Sequence, residues 1–369
     1  MLFKGTSQKS AIEIIKLIEG LGGSFDAFTT KENLLIITKF LSGHITAVFD
    51  LIVELLLEST IDHEELSKEK SVVLEEIKSN NEDPAEYVFD LFYKSLFPNH
   101  PMGLPIAGSV ESVNTMNVEK TKNYYQELWK QRMIIVLSGN FDYKKVVERA
   151  QTKLSHFELG NMSRTKPNAQ CGNIVVQKRK EISQVHFVFG NAGVEFRSPR
   201  RYPLSILNTV FGGGMSSRLF QGLREQYGLV YNVQSFHDFY SDCGISGFYF
   251  VCDKKNLKAV AQQLRRIFDD VHKSGFSSGE IELAKTYLSG NLLLNLETST
   301  NRMLRLGKEM SHTNKITTID ETLNHIRSLD TEQINELIKD YLNPHTYTVA
   351  AIGPIEKHEV EDIVTSIAR

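Results

Sequence analysis

The 369-residue sequence is short of several things, and each shortage removes a class of protein. It has only three cysteines, Cys171, Cys243 and Cys252, an odd number without metal-type spacing. That argues against a disulfide framework and for a reducing compartment. Nine prolines and 24 glycines are too few for a collagen-like or disordered chain. No apolar run reaches the ~18 residues of a membrane-spanning helix. The longest candidate, Ala47 to Leu57, is interrupted by Asp50 and Glu54. Positive charge is not in excess either: the net charge is −3, whereas a dedicated nucleic-acid binder is usually basic. The opening Met1-Leu2-Phe3-Lys4-Gly5-Thr6 lacks a basic start followed by an apolar stretch, so no signal peptide is expected.

What remains is ordinary soluble composition, 41% hydrophobic and 24% charged, at a length that suggests two domains. An internal repeat supports that division. Leu51 to Lys70 and Arg266 to Lys285 both read as an amphipathic helix, a turn with an apolar residue (Ile61, Phe276) and a second helix, about 215 residues apart. Leu128 to Asn140 resembles Leu342 to Pro354 at nearly the same offset, each a strand ending in glycine, Gly139 and Gly353. We read a first domain at 1–158, a linker at 159–172 and a second domain at 173–369. Gly160, Asn161, Ser163, Pro167 and Asn168 mark the linker. Carrying the offset back places the start of the first copy roughly 40 residues before Met1. The first domain is therefore expected to be N-terminally truncated. It would lack the counterparts of strands Ile174–Gln177 and Val185–Gly190 and of helix Pro203–Phe211.

Periodicity predicts strands at Ser24–Thr29, Leu34–Leu41 and Met133–Gly139 in the first copy, with helices at His44–Leu57, His63–Asn80, Pro84–Phe97 and Val118–Trp129. In the second copy it predicts strands near Val230–Tyr240 and Gly244–Cys252, and helices Ser216–Tyr227, Lys255–His272, Ser278–Met310 and Thr331–Tyr341. The expected fold class is α+β: two homologous domains, each an antiparallel sheet with helices packed on one face.

Helix His63–Asn80 carries two misplaced acids. With Leu66 at 0° and 100° per residue, Ile77 and Val73 fall at about 20° and 340°, and Val72 at about 240°. Glu69 and Glu76, at about 300° and 280°, lie inside that apolar arc, two turns apart. A buried carboxylate needs a partner or a cation. The functional reading is a metal ligand with a supporting acid; the plain one is a partly solvated edge of the arc. At the repeat offset Glu69 faces Ala284 and Glu76 faces Asn291, so the second copy keeps the helix without the acids. That favours a site in the first domain only.

Other features read blandly. Gly212-Gly213-Gly214 is not followed by the pattern of a phosphate loop and reads as a helix break that admits a peptide backbone. Lys178-Arg179-Lys180 and Arg197 to Arg201 read as solvated basic loops. His100 reads as a turn residue, Trp129 as core or interface, and Gln184 and His186 as packing on one strand face.

Together these stretches resemble the inverzincin metallopeptidases, the group of pitrilysin, insulysin and the mitochondrial processing peptidase, and most closely the two-domain processing-peptidase branch. Met1-Leu2-Phe3-Lys4-Gly5-Thr6 looks like the stretch directly after the family's His-x-x-Glu-His. Gly22 to Thr29 looks like the edge strand beside the site, which implies substrate contacts at Ser24, Asp26 and Ala27. Val72-Val73-Leu74-Glu75-Glu76-Ile77 looks like the helix of the third zinc ligand, which falls on Glu76, with Glu69 as the supporting acid. Gly212 to Phe220, then Leu223-Arg224-Glu225 and Gly228-Leu229-Val230-Tyr231, is the most specific stretch. It implies substrate contacts at Gly213 and Gly214 and a catalytic pair, Arg224 and Tyr231.

The resemblance implies zinc-dependent endopeptidase activity on peptides or unfolded protein segments, and a homodimer or a heterodimer with a related two-domain chain. Nucleic acid and a membrane span are not expected. The implied location is the cytoplasm, or an organelle matrix if a targeting segment was lost. One departure stands against the activity: His-x-x-Glu-His is absent, and none of the eleven histidines forms a pair three to five residues apart. Zinc hydrolysis needs two imidazoles, a carboxylate and a glutamate base. The chain as written is expected to bind zinc weakly and to be inactive. The alternatives are a non-catalytic partner subunit or a peptide-binding protein of the same fold.

Overall fold

A computed structural model describes residues 1–128, 130–155 and 164–368. Trp129 and residues 159–163 of the expected linker lie outside the described residues. The first copy runs α1 (Ala11–Gly20), β1 (Ser24–Thr29), β2 (Leu34–Lys39), α2 (Ile45–Glu58), α3 (His63–Glu82), α4 (Pro84–Leu96), α5 (Val110–Asn114), α6 (Val118–Leu128) and α7 (Tyr143–Leu154). The second runs β3 (Ile174–Lys178), β4 (Gln184–Ala192), α8 (Arg201–Gly212), a π-helical turn (Phe220–Glu225), β5 (Asn232–Phe239), β6 (Gly244–Asp253), α9 (Leu257–Ser274), α10 (Ser278–Asn295) and α11 (Ser299–Thr313). It ends with α12 (Ile319–Ser328), α13 (Thr331–Asn335), α14 (Ile338–Tyr341), β7 (Thr348–Gly353) and α15 (Lys357–Ala368).

The backbone repeats with the sequence. Gly22 (φ 62°) and Gly228 (φ 59°) each make the left-handed turn into the first strand of a hairpin, β1 and β5. Gly139 (φ 141°) and Gly353 (φ 153°) close the matching segments 133–139 and β7. Asn99 (φ 60°) and Asn314 (φ 58°) follow α4 and α11, and they alone among the described non-glycine residues have positive φ. Asparagine tolerates that region where most side chains do not.

The described chain folds as two compact units that do not follow chain order. One comprises Met1–Ser79, Pro105–Thr165 and Thr298–Lys308; the other comprises Asn80–Leu104, Lys166–Glu297 and Glu309–Arg369. Each copy thus contributes one helical stretch to the other copy's unit, α4 in one direction and most of α11 in the other. The chain passes from one unit to the other at Thr165–Lys166, within the expected linker, and segments 80–104 and 298–308 are exchanged besides.

In the second unit the strand order is β3-β7-β4-β6-β5. All pairs are antiparallel except the parallel β3–β7. Phe187, Phe189, Phe248, Phe250, Val349 and Ala351 face a core with Leu204 and Leu207 of α8, Leu264 and Phe268 of α9, and Val360 of α15. Val188, Tyr249, Val251, Ala350 and Ile352 face Val88, Phe92, Tyr93 and Leu96 of α4. Helices therefore cover both faces, not the expected one, because the middle strands are buried on both sides and need two covering layers. Gly190 lets α4 approach: a Cβ there would lie 2.7 Å from Phe92 Cζ. Asp83 caps α4 by accepting from Ala85 N, and Pro84 follows it at the first helical position.

In the first unit the sheet has two strands, β1 and β2, paired antiparallel from Ser24↔Lys39 to Thr29↔Leu34. Its core is small: Ile14, Leu51 and Leu55, flanked by Phe3, Leu17, Ile18 and Phe25. Residues 133–139, expected as a strand, form no strand pairing among the described residues. Their counterpart β7 lies between β3 and β4.

Three expected helices are modified. Ser278–Met310 breaks after Asn295, where Thr298 Oγ1 accepts from Asn301 N (3.2 Å) and starts α11. Thr331–Tyr341 divides into α13 and α14. Ser216–Tyr227 is regular only around the π-helical turn, with Gln226 N bonding Gln221 O (3.0 Å), five residues back. No described helix is long and apolar enough to cross a membrane.

Candidate functional site

Glu69 and Glu76 sit on α3, whose fully buried side chains are only Leu66 and Ile77. Val72 is 60% exposed, so the apolar arc is narrower than hydrophobicity alone suggests and both acids lie at its edge. Glu76 is exposed and has no hydrogen-bond or ion-pair partner among the described residues. The Glu69 side chain is 26% exposed and accepts from Lys4 Nζ at 2.8 Å. On the same helix Lys70 Nζ donates to the carbonyls of Asn114 and Met116, both at 3.0 Å, anchoring α3 to the chain after α5. Lys4 had no signal in the sequence, because no periodicity links positions so far apart.

These residues do not make a zinc site. Among the described residues no group of three or more His, Cys, Asp or Glu side chains could hold a metal ion. Glu76 supplies one carboxylate, and Glu69 is already neutralised by a lysine. A lone carboxylate does not satisfy a tetrahedral ion that prefers nitrogen and sulfur donors.

The same unit offers an open strand edge. Among the described residues β1 pairs only with β2. Ser24 and Asp26 are exposed on it, and Ala27 is half-buried. Asp26 Oδ1 accepts from the next amide, Ala27 N, at 2.8 Å, which turns the carboxylate back onto its own backbone.

The second unit holds the other predicted residues. Leu223 is buried while Arg224 is exposed, its guanidinium 5.2 Å from the Phe220 ring centre. Arg224 has no carboxylate partner among the described residues. Tyr231 is 54% exposed; its amide donates to Val251 O (2.9 Å) while its phenol has no partner among the described residues. Both side chains are therefore available to a ligand.

The glycine run divides by role. A Cβ on Gly212 would lie 2.7 Å from Ser235 N, and one on Gly213 2.7 Å from Thr209 Cα, so these two are needed for packing of the chain on itself. Gly214 meets only the Tyr287 ring, at 3.9 Å. Tyr287 and the exposed Met215 flank it and were not singled out by sequence; an aromatic on the polar side of a helix was the available signal.

Comparison with known proteins agrees with this architecture. Residues 1–110 match the family described as insulinase (peptidase family M16), and residues 115–288 match the peptidase M16 inactive domain. A zinc protease of Bacillus subtilis is 33% identical over 355 residues, covering 96% of this chain and 86% of that protein. A zinc protease of Streptomyces coelicolor is 29% identical, covering 100% of this chain and 82% of its own length. Among solved structures, a peptidase M16 inactive domain from Pseudomonas fluorescens superposes with a TM-score of 0.83 at 19% identity, covering 96% of this chain and 86% of that one. A protease from Helicobacter pylori has the same TM-score, 0.83, at 16% identity, covering 96% and 87%. At these identities the two structures establish the fold.

Proposed function

Because the chain belongs to the M16 (insulinase) peptidase family, we propose that it binds peptides or unfolded protein segments as an added strand on β1. In this reading its residues are those of a metalloendopeptidase of the processing-peptidase type. The supporting observation is the edge of β1 that no strand pairs among the described residues, where backbone groups other than Ala27 N, held by Asp26, can ladder with an extended ligand. Tyr231 and Arg224 of the second unit have side chains suited to binding peptides. A phenol donates to a carbonyl or developing oxyanion, and a guanidinium donates to backbone oxygens or a carboxylate.

The 369 residues lack the imidazoles and base for hydrolysis, so binding without cleavage is the activity proposed for this chain. In a chain also containing His-x-x-Glu-His, Glu76 is the proposed third ligand, with Glu69 supporting it. Cytoplasmic location and pairing with a related two-domain chain belong to the same proposal. The second reading, a non-catalytic partner subunit, is favoured by the Lys4–Glu69 ion pair, which occupies the supporting acid.

Hydrogen exchange with a saturating extended peptide tests the binding. The amides of Ser24–Thr29 should exchange more slowly. Unchanged exchange along β1 would reject the reading.

A further inference from the structure

The second unit contains a cleft of about 620 Å3 at one end of its sheet, where β4 runs out beside the turn between β5 and β6. That volume lies within the about 300–1,000 Å3 usual for ligand sites. Its wall is held by backbone: Gly193 N donates to Gly244 O at 2.7 Å, and a Cβ on Gly244 would collide with Val194 O. Its floor is apolar, since Phe97, Ala169 and Cys243 belong to the core that α4 makes with the sheet. Charged groups line the rest: Lys166, Glu195, Arg197 and Asp242. Three of these four are engaged. Lys166 Nζ lies 3.8 Å from Glu195 Oε2, and Asp242 has a partner within the protein. Arg197 differs. Its Nε donates to the carbonyl of the buried His312 at 2.5 Å, while its terminal nitrogens have no partner among the described residues. The guanidinium is therefore anchored at the cleft with most of its donors unused, a geometry that matches a carboxylate.

We propose that this cleft binds the C-terminal residue of a polypeptide, with its α-carboxylate on Arg197 and an apolar side chain against Phe97, Ala169 and Cys243. A chain end carries its carboxylate and its side chain on one carbon, which suits a fixed cation standing beside an apolar floor. An internal aspartate or glutamate brings the carboxylate without the apolar group. Glu195 and Asp242 are the counterweight: two lining carboxylates repel a second negative charge, so a monoanion is selected over a dianion such as phosphate. Every lining residue belongs to the second unit, so the site is separate from the β1 edge proposed for extended peptides.

The test is hydrogen exchange on the 369-residue chain with N-acetyl-glycyl-glycyl-leucine, as the free acid and as its C-terminal amide. This probe is too short to ladder along the six residues of β1. The free acid should slow exchange at residues 193–199 and 242–244, with a Kd about tenfold below that of the amide, as expected for losing a hydrogen bond to a charged group. Arg197→Gln should raise the Kd of the free acid about tenfold and leave that of the amide unchanged. Arg224→Ala should change neither. Equal binding of acid and amide to the unaltered protein would overturn the proposal without any variant, as would the absence of slowing at the cleft. Acetate that protects the same residues at the same concentration would show that any carboxylate suffices and overturn the chain-end assignment. Slowing confined to Ser24–Thr29 would overturn this inference and leave the β1 reading standing.

Discussion

Asn99 and Asn314 occupy the same left-handed backbone conformation, φ 60° and 58°, at the ends of α4 and α11. Matched strain at matched places is a stronger mark of duplication than either sequence match alone. Asn99→Ala should cost ~1 kcal/mol, since a Cβ without a local hydrogen-bonding side chain is disfavoured there by about 1–2 kcal/mol. Asn99→Gly should be close to neutral. Urea unfolding of the two variants checks this, and equal losses would point to side-chain contacts instead of backbone geometry.

Phe92 is fully buried beneath α4, against Gly190. Phe92→Ala should lose about 3–5 kcal/mol by denaturant unfolding. Gly190→Ala should also destabilise by overpacking. The double variant should lose less than the sum, because removing the ring vacates the space the new methyl enters. Strict additivity would mean that the clash is with the neighbouring strand.

His186 is buried, with its Nδ1 2.8 Å from Tyr249 Oη. Burial pushes its imidazole below the ordinary value of 6.5, and Asp83 opposes that shift. A depressed folded value means that the unfolded chain binds the proton more readily. The stabilisation is complete above about pH 6.5 and is lost as pH falls below it. His186→Gln keeps an acceptor for Tyr249 and should flatten the decline in stability between about pH 6.5 and 5. Identical pH profiles for the two proteins would contradict the assignment.

Tyr231→Phe removes an exposed hydroxyl that has no partner among the described residues, so stability should stay within about 0.5 kcal/mol. Peptide affinity should fall several-fold, by about 0.5–1.5 kcal/mol for one lost hydrogen bond. Arg224→Ala should weaken binding of peptides with a carboxylate more than of neutral ones. Fluorescence anisotropy with labelled peptides measures both.

Much of this was legible beforehand because it is local. Strands β1 and β2 follow from short apolar runs after Gly22-Gly23. The Leu51–Lys70 match located the duplication. The parts that escaped depend on distant partners. Among the described residues, 133–139 have strand chemistry but no strand to pair with, and Val72 has core chemistry but is 60% exposed. The π turn that holds Leu223 inward and Arg224 outward is a hydrogen-bond register, to which apolar spacing is blind. The Glu69–Lys4 pair joins two turns of chain that no helical or strand period connects.

The central claim is that these 369 residues bind an extended peptide without supplying a zinc active site. A fluorogenic peptide, labelled so that binding raises anisotropy and cleavage releases a quenched dye, reads both in one titration with added zinc. The predicted result is a saturable rise in anisotropy, with no release of the dye at any zinc concentration. Zinc-dependent release that a chelator abolishes would contradict the account and show a complete ligand set within this chain.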